Sequence, residues 1–406
     1  MRLRIKDLAT KVGSGVTPKG GASVYQDNGI PLFRSQNVTN DGFLLDDIAY
    51  ISEEIHKSMI GTRLMPNDVL LNITGASIGR CYYLPKNFKE GNVNQHVCII
   101  RPKVNVVIPA FLYYNLISAV GQQMIDVCQT GANREGLTKE NICNFEFDIP
   151  SLADQQRMIT YLDTKLSEID HQVSLLTSKR DAYLRLKKSI INHAVTRGLD
   201  PNVKMKDSGI EWIGEVPEHW EVKRMKDIVK LMKGRTPEDL TFEEISYPYL
   251  TMDYLRNRSG KEILYPQKTA GLLKIDVGEI IVLWDGANAG EFILSKEGYL
   301  GSTMAVFLCD CKIVDKNYLY YLLKSVEKHS KYFANGTTIP HFDSLAIMNH
   351  QYALPPLPEQ RAIATFLDDK CAKIDTIVSN LDKQISRYAD LKRSLIDEVI
   401  TGKRAV

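Results

Sequence analysis

Residues 149–170 read IPSLADQQRMITYLDTKLSEID, and residues 354–375 read LPPLPEQRAIATFLDDKCAKID. With Leu152 set over Leu357, an offset of 205, residues 150–196 align with 355–401 without a gap and share 18 identities in 47 positions. A repeat of this quality decides the architecture, because a duplicated unit folds as two copies of one supersecondary design. Weaker likeness runs upstream. FLYYNLIS (111–118) matches YLYYLLKS (318–325), and DVLLNITGASIGR (68–80) matches EIIVLWDGANAGE (279–291) around a shared G-A-x-x-G. IKDLATKVGSGVTP (5–18) parallels MKDIVKLMKGRTP (225–237) with one residue of slippage. Each copy is therefore a globular segment followed by a long helix, and the globular parts have diverged more.

Within the aligned segments the apolar positions recur at alternating steps of four and three. From Leu162 they run through Leu166, Ile169, Val173, Leu176, Tyr183 and Ile190; from Leu367 through Ile374, Val378, Leu381, Tyr388 and Leu395. Such a seam predicts two helices that pack along one another as a coiled coil. Pro150 and Pro358 suit helix starts and Gly198 a helix stop. Residues 162–176 carry three acids and one base, whereas 177–194 carry five bases and one acid. Pairing that basic end with Asp368, Asp369 and Asp375 requires an antiparallel arrangement. A pair of amphipathic helices packed into one domain's core is the alternative.

The globular segments read as short strands (IPLF, DVLLNIT, HVCIIRP, EFDIP; then YPYL, EIIVLW, MAVFL) with helices near 109–126 and 315–329. The fold class is thus α/β (α+β), in two copies joined by long helices. The expected divisions are 1–149, globular; 150–197, helical; 198–220, linker; 221–354, globular; and 355–406, helical.

With 51 Lys and Arg against 49 Asp and Glu, the formal charge of the 406 residues is +2. This excludes a polycation that holds nucleic acid by bulk charge, but not a reader whose bases are few and placed. No apolar run reaches the length of a membrane span. Seven cysteines without framework spacing point to reduced thiols and a cytoplasmic location. The closest pair, Cys309 and Cys311, lacks the second pair of ligands a zinc site needs, so no metal site is expected.

Catalytic signatures are missing. There is no G-x-x-x-x-G-K-[ST] phosphate loop; the single G-x-G at Gly13 and Gly15 has Pro18 in the third-glycine place. There is no N-P-P-[FY] tetrapeptide, no P-D…E-x-K, no G-x-S-x-G and no H-E-x-x-H. A binding protein is the better expectation.

The 149–170 and 354–375 segments, with the linker KDSGIEWIGEVPEHWEVKRMKDI (206–228) and its Pro217, His219 and Trp220, resemble the specificity subunit of type I restriction–modification systems. The resemblance covers essentially the whole chain. The first copy departs from the P-x-L-x-E-Q…L-D pattern at Ser151, Ala153 and Asp154, where the second has Pro356, Pro358 and Glu359, while Gln155, Leu162 and Asp163 remain. The resemblance implies a non-catalytic subunit whose two target-recognition domains each read one half of a bipartite DNA sequence. It further implies that the helices act as spacer and docking scaffold for two modification subunits, which bind S-adenosylmethionine and methylate adenine. Two restriction subunits using ATP and Mg can join such a complex.

Asn, Gln, Ser, Thr and Arg in the loops are the side chains that pair with base edges and phosphates. In the first domain the candidates are Arg34, Ser35, Gln36, Asn37, Thr74, Ser77, Arg80, Asn94, Gln95, Asn133 and Arg134. In the second they are Thr251, Asp253, Arg256, Arg258, Trp284, Asp285, Asn288, Ser302, Thr303, Thr338 and His341, with Trp284 equally suited to a core. Ordinary solvated turns would have the same composition. The rival to DNA reading is a coiled-coil interaction scaffold with no sequence preference.

Overall fold

The computed structural model describes every residue except 130–135, 212, 257–261, 287 and 333–340. The chain forms two compact units, Met1–Thr177 with Lys383–Val406, and Ser178–Asp382. Each unit takes in one globular segment and a part of each of two long helices, Leu152–Arg197 and Leu357–Ile400.

The two units repeat one sheet topology. In the first, a four-stranded antiparallel sheet has the order Ala9–Ser14, Val97–Pro102, Val69–Asn72, Cys81–Tyr83. In the second, the order is Val229–Lys233, Met304–Cys309, Ile280–Leu283, Phe292–Leu294. The central strands are apolar throughout because both faces are covered. Val69, Leu71, Cys98 and Ile100 face one core, while Leu70, Val97 and Ile99 face another. The same alternation splits Ile280, Val282, Ala305 and Phe307 from Ile281, Leu283, Met304 and Val306. A smaller sheet beside each contains one parallel pair, Ile30–Phe33 with Asn92–Val93 and Tyr249–Leu250 with Gly298–Leu300. Its third strand joins a different neighbour in the two units, Ile30–Phe33 in the first and Gly298–Leu300 in the second.

The long helices pack antiparallel within each unit. In the first, Ile159, Leu162, Leu166 and Ile169 share a core with Leu395, Ile396, Val399 and Ile400, and Val173 and Tyr388 pack at its margin. Lys392 Nζ donates to Asp170 Oδ1 at 2.7 Å. In the second, Ile191, Ala194 and Val195 meet Ile363, Ala364, Leu367 and Cys371. Lys187 Nζ donates to both oxygens of Asp375 at 2.7 Å. Lys187 and Lys392 are repeat equivalents, as are Asp170 and Asp375, so one bridge is made twice. Ile374 and Leu381 are buried on the second helix, while Leu176, Tyr183 and Val378 are half-buried.

The signature glutamine explains itself. Gln155 Oε1 accepts from the Ile108 amide at 2.8 Å, and its Nε2 donates to the carbonyls of Val106 and Pro150 at 3.0 Å each. Gln360 does the same with the Asp315 amide at 2.7 Å and the carbonyls of Ile313 and Pro355 at 3.1 and 2.9 Å. Both amides are buried and tie the helix start to the loop preceding the helix of the globular segment. Eight residues further along each helix, Asp163 accepts from Tyr114 at 2.6 Å and Asp368 from Tyr321 at 2.7 Å. The linker tryptophan is structural. Trp220 is fully buried and donates through Nε1 to Glu359 at 3.2 Å, and His219 Nε2 lies 2.7 Å from the same carboxylate. No helix among the described residues is long and apolar enough to cross a membrane.

Candidate nucleic-acid interface

Each unit gathers polar loops at one end of its four-stranded sheet, and a glycine makes the gathering possible. At Gly15, a Cβ would lie 2.0 Å from the Val93 carbonyl oxygen; at Gly234, one would lie 2.3 Å from those of Leu300 and Gly301. Only glycine lets the chain leaving the edge strand run this close to the neighbouring loop. The following backbone bonds repeat too. The amides of Gly15 and Val16 donate to Val97 O and Val93 O, and those of Gly234 and Arg235 to Met304 O and Leu300 O. The result is a G-x-T-P turn, 15–18 and 234–237, that lays a threonine beside the opposite loop. Thr17 Oγ1 donates to Gln95 Oε1, and Thr236 Oγ1 bonds Ser302 Oγ at 2.7 Å.

From Gln95 the contacts in the first unit continue. Its Nε2 lies 2.9 Å from His96 Nε2, and His96 Nδ1 lies 2.5 Å from Thr74 Oγ1. Asn94 is buried, its Oδ1 accepting from the His96 amide at 3.2 Å and its own amide donating to Phe33 O at 3.1 Å. That last bond sets the 34–37 turn next to this chain. Arg34 Nη2 donates to Asp47 O at 2.6 Å, lies 3.3 Å from Asp47 Oδ2, and the guanidinium sits 5.8 Å from the Tyr25 ring centroid. Gln36 donates to the same carboxylate. The Ser35 carbonyl accepts from Asn72 Nδ2 at 2.7 Å. Asn37 is 1% exposed and spends its amide on Leu44 O and Asp47 O, at 2.9 and 3.1 Å. It holds the loop and does not face outward. Ser77 is half-buried in the turn Gly75–Ser77, and Arg80 is exposed.

In the second unit Asp285 Oδ1 meets His341 Nδ1 at 2.6 Å, and Lys233 Nζ lies 3.7 Å from Asp285 Oδ2. Lys233 also stands 4.7 Å over the Trp284 ring. Trp284 is half-buried; it packs on the core and meets Phe342 edge-on at 5.7 Å, so it serves both core and surface. Arg256 pairs with Glu291, and Thr251 caps the short helix Met252–Leu255 by accepting from the Tyr254 amide at 3.2 Å. Asp253 is half-buried on that helix, whereas Asn288 and Thr303 are exposed. The Thr303 carbonyl accepts from the Trp284 amide at 2.8 Å. Asn133, Arg134, Arg258 and Thr338 lie outside the described residues.

Thr17, His96, Lys233 and Thr236 also stand in the cluster, although loop composition alone does not point to them. The repeated G-x-T-P at 15–18 and 234–237 is the sequence signal for Thr17 and Thr236. Among the described residues no three His, Cys, Asp or Glu side chains gather to hold a metal ion.

A duplicated α/β domain with a glycine-enabled polar face at one sheet end, carried on paired long helices, is the build of a two-headed recognition protein. Comparison with known proteins fixes which kind. The family model described as the type I restriction modification DNA specificity domain matches residues 1–175 and 217–387. The chain belongs to that family: it is a DNA-specificity subunit and not a catalyst. The MjaVIII specificity subunit of Methanocaldococcus jannaschii is 38% identical over 188 residues, spanning 46% of this chain and 43% of that one. The putative MjaX specificity subunit of the same organism is 21% identical over 98% of this chain and 92% of its own. A solved structure concerning assembly and conformational transition of the type I R-M system superposes with a TM-score of 0.74 at 14% identity, covering 98% and 97% of the two chains. The HsdS subunit of Thermoanaerobacter tengcongensis superposes at 0.50 with 15% identity, covering 100% of this chain and 97% of that one.

Proposed function

We propose that the two polar faces read the two different halves of one bipartite DNA target. The observation that carries this reading is the unequal divergence of the copies. Thr17 and Thr236 are kept, as are Gly15 and Gly234, yet Gln95 is replaced by Ser302, His96 by Thr303 and Thr74 by Asp285. Such faces present different donor and acceptor patterns to base edges. Exposed Arg80, Lys233 and Arg235 fix register on phosphates.

The helices serve as spacer and docking scaffold. Clefts of about 530 and 560 Å³ stand against them at repeat-equivalent places. Ala389, Lys392, Arg393 and Ile396 line one; Leu184, Lys187, Lys188 and Ile191 line the other. We place there the docking of two modification subunits, which supply S-adenosylmethionine binding and adenine methylation, with restriction subunits joining through them. The chain works in the cytoplasm, where its seven free thiols stay reduced.

The test is selection of duplexes from a randomised pool by the full chain assembled with its modification subunits. The expected result is an asymmetric target of two short half-sites at fixed separation. Recovery of unselected DNA would leave the rival reading, a scaffold that binds only protein.

A further inference from the structure

We propose that Gln95 reads an adenine in the half-site facing the first unit, and that Thr17, His96 and Thr74 hold its amide in place for that purpose. The inference rests on the recognition reading above and names one base and one reader within it.

Four side chains from three loops form one unbroken relay, Thr17–Gln95–His96–Thr74. The amide can face either of two ways. With Oε1 toward Thr17, that hydroxyl donates, Nε2 donates to a His96 Nε2 lone pair, and Nδ1–H donates to Thr74. With the amide turned over, every bond reverses and the relay is still satisfied. Both senses use one N–H and one oxygen lone pair of Gln95. A glutamine amide has two of each. Among the described residues the remaining N–H and lone pair have no partner, and Gln95 is exposed.

One donor beside one acceptor on a planar amide matches adenine, whose major-groove edge offers the N7 acceptor and the N6 donor. Guanine offers two acceptors there and cytosine a donor alone. The amide is ordered before DNA arrives, so less rotamer entropy is lost on binding. His96 has both ring nitrogens engaged within the protein, which makes it a positioning residue. In the second unit the equivalent of Gln95 is Ser302, bonded to Thr236, and its short hydroxyl has no such edge.

The experiment is duplex selection followed by competition binding, with the full chain in complex with its modification subunits. Wild type is expected to demand adenine at one position of one half-site. Gln95→Ala is expected to lose about 10-fold or more of discrimination at that position and none elsewhere. Gln95→Glu, which only accepts, is expected to move the preference to cytosine. Thr17→Val and Thr74→Val should weaken discrimination without changing the preferred base. A purely structural role for Gln95 would lower affinity evenly and shift no base. If Gln95→Ala keeps every preference, or loses one for a base other than adenine, the inference is wrong while the bipartite reading stands. If wild type shows no preference at all, the recognition reading itself has failed.

Discussion

Removing the amide of Gln155 while keeping its length, as in Gln155→Met, leaves three half-buried backbone groups without these partners. They are the Ile108 N–H and the carbonyls of Val106 and Pro150. A buried polar group stripped of its hydrogen bond costs about 1–3 kcal/mol. Carbonyls relax and find water more easily than an amide does, and all three groups are only half-buried, so the sum should be about 2–3 kcal/mol, still a sizeable fraction of a domain's stability. Gln360→Met should cost the same by the same three bonds. The assay is urea unfolding with amide exchange read at Ile108 and Asp315. All three tryptophans, at 212, 220 and 284, fall in the second unit, so fluorescence reports that unit and far-UV dichroism both. Gln155→Glu sharpens the test. Its carboxylate keeps an acceptor for Ile108 but faces two carbonyls with no proton to donate. The folded-state pKa of the new acid should therefore lie above its unfolded value near 4.3. The variant should be closest to wild type below that value and lose stability as pH rises through the folded pKa. A cost under 1 kcal/mol for Gln155→Met, with protection at Ile108 unchanged, would refute the reasoning.

Five further outcomes follow from the structure. Gly15→Ala drives a methyl into the Val93 carbonyl and should abolish selectivity at one half-site, with Gly234→Ala abolishing it at the other, as read by methylation of half-site variants. Lys187→Asp should cost no more than about 1 kcal/mol, the pair being partly exposed, and Asp375→Lys in the same chain should restore the melting temperature. Deleting 177–183 together with 379–385 removes one heptad from each helix in register and should shorten the spacer of the methylated sequence by about 10 Å, or about three base pairs, with both half-sites intact. Burial pushes the Cys98 thiol up to about 12 and the Cys81 thiol upward as well, so at pH 8 iodoacetamide should label exposed Cys311 and spare both until the chain unfolds. Burial first, then the bonds to Asp163 and Asp368, also raises the phenols of Tyr114 and Tyr321. Acids held protonated by the fold stabilise it fully below their unfolded pKa, so stability should fall as pH climbs above about 10.

The architecture was legible because its determinants are local and repeated. The four-three spacing from Leu162 and Leu367 marks the helices, and the charge split between 162–176 and 177–194 gave their direction, which Lys187 and Asp375 realise. The reading face was less legible, since a loop residue's direction depends on where the backbone turns. Asn37 and Gln36 are neighbours of the same chemistry, yet one is buried holding Leu44 and Asp47 and the other is exposed. His96 has no helical or strand period to betray it and is placed by Gly15, eighty-one residues earlier in the chain. Periodicity cannot report a contact of that kind.

What the duplication kept and what it lost argue together for two half-sites that differ. The glutamine clamp, the Tyr–Asp bond, the helix-bridging Lys–Asp pair and the glycine of the G-x-T-P turn are each made twice with the same atoms. These contacts are buried or bridge helices, and losing any one costs stability or register. At the sheet ends the two copies part. An imidazole stands against the second residue after the central strand in both, but His96 reaches Thr74 from the loop before the neighbouring strand, whereas His341 reaches Asp285 from the segment bridged to it. A protein needing two identical readers would have no reason to rebuild one of them, and a protein needing only a rod would not keep both glycines. Near-neutral charge belongs to the same logic. With 15 bases against 14 acids in residues 1–149, a recognition domain gains little from phosphate attraction and must draw its selectivity from placed donors and acceptors. On the docking proposed above, affinity is left to the modification subunits, and raising salt should weaken the assembled complex far more than it alters the order of preference among target sequences.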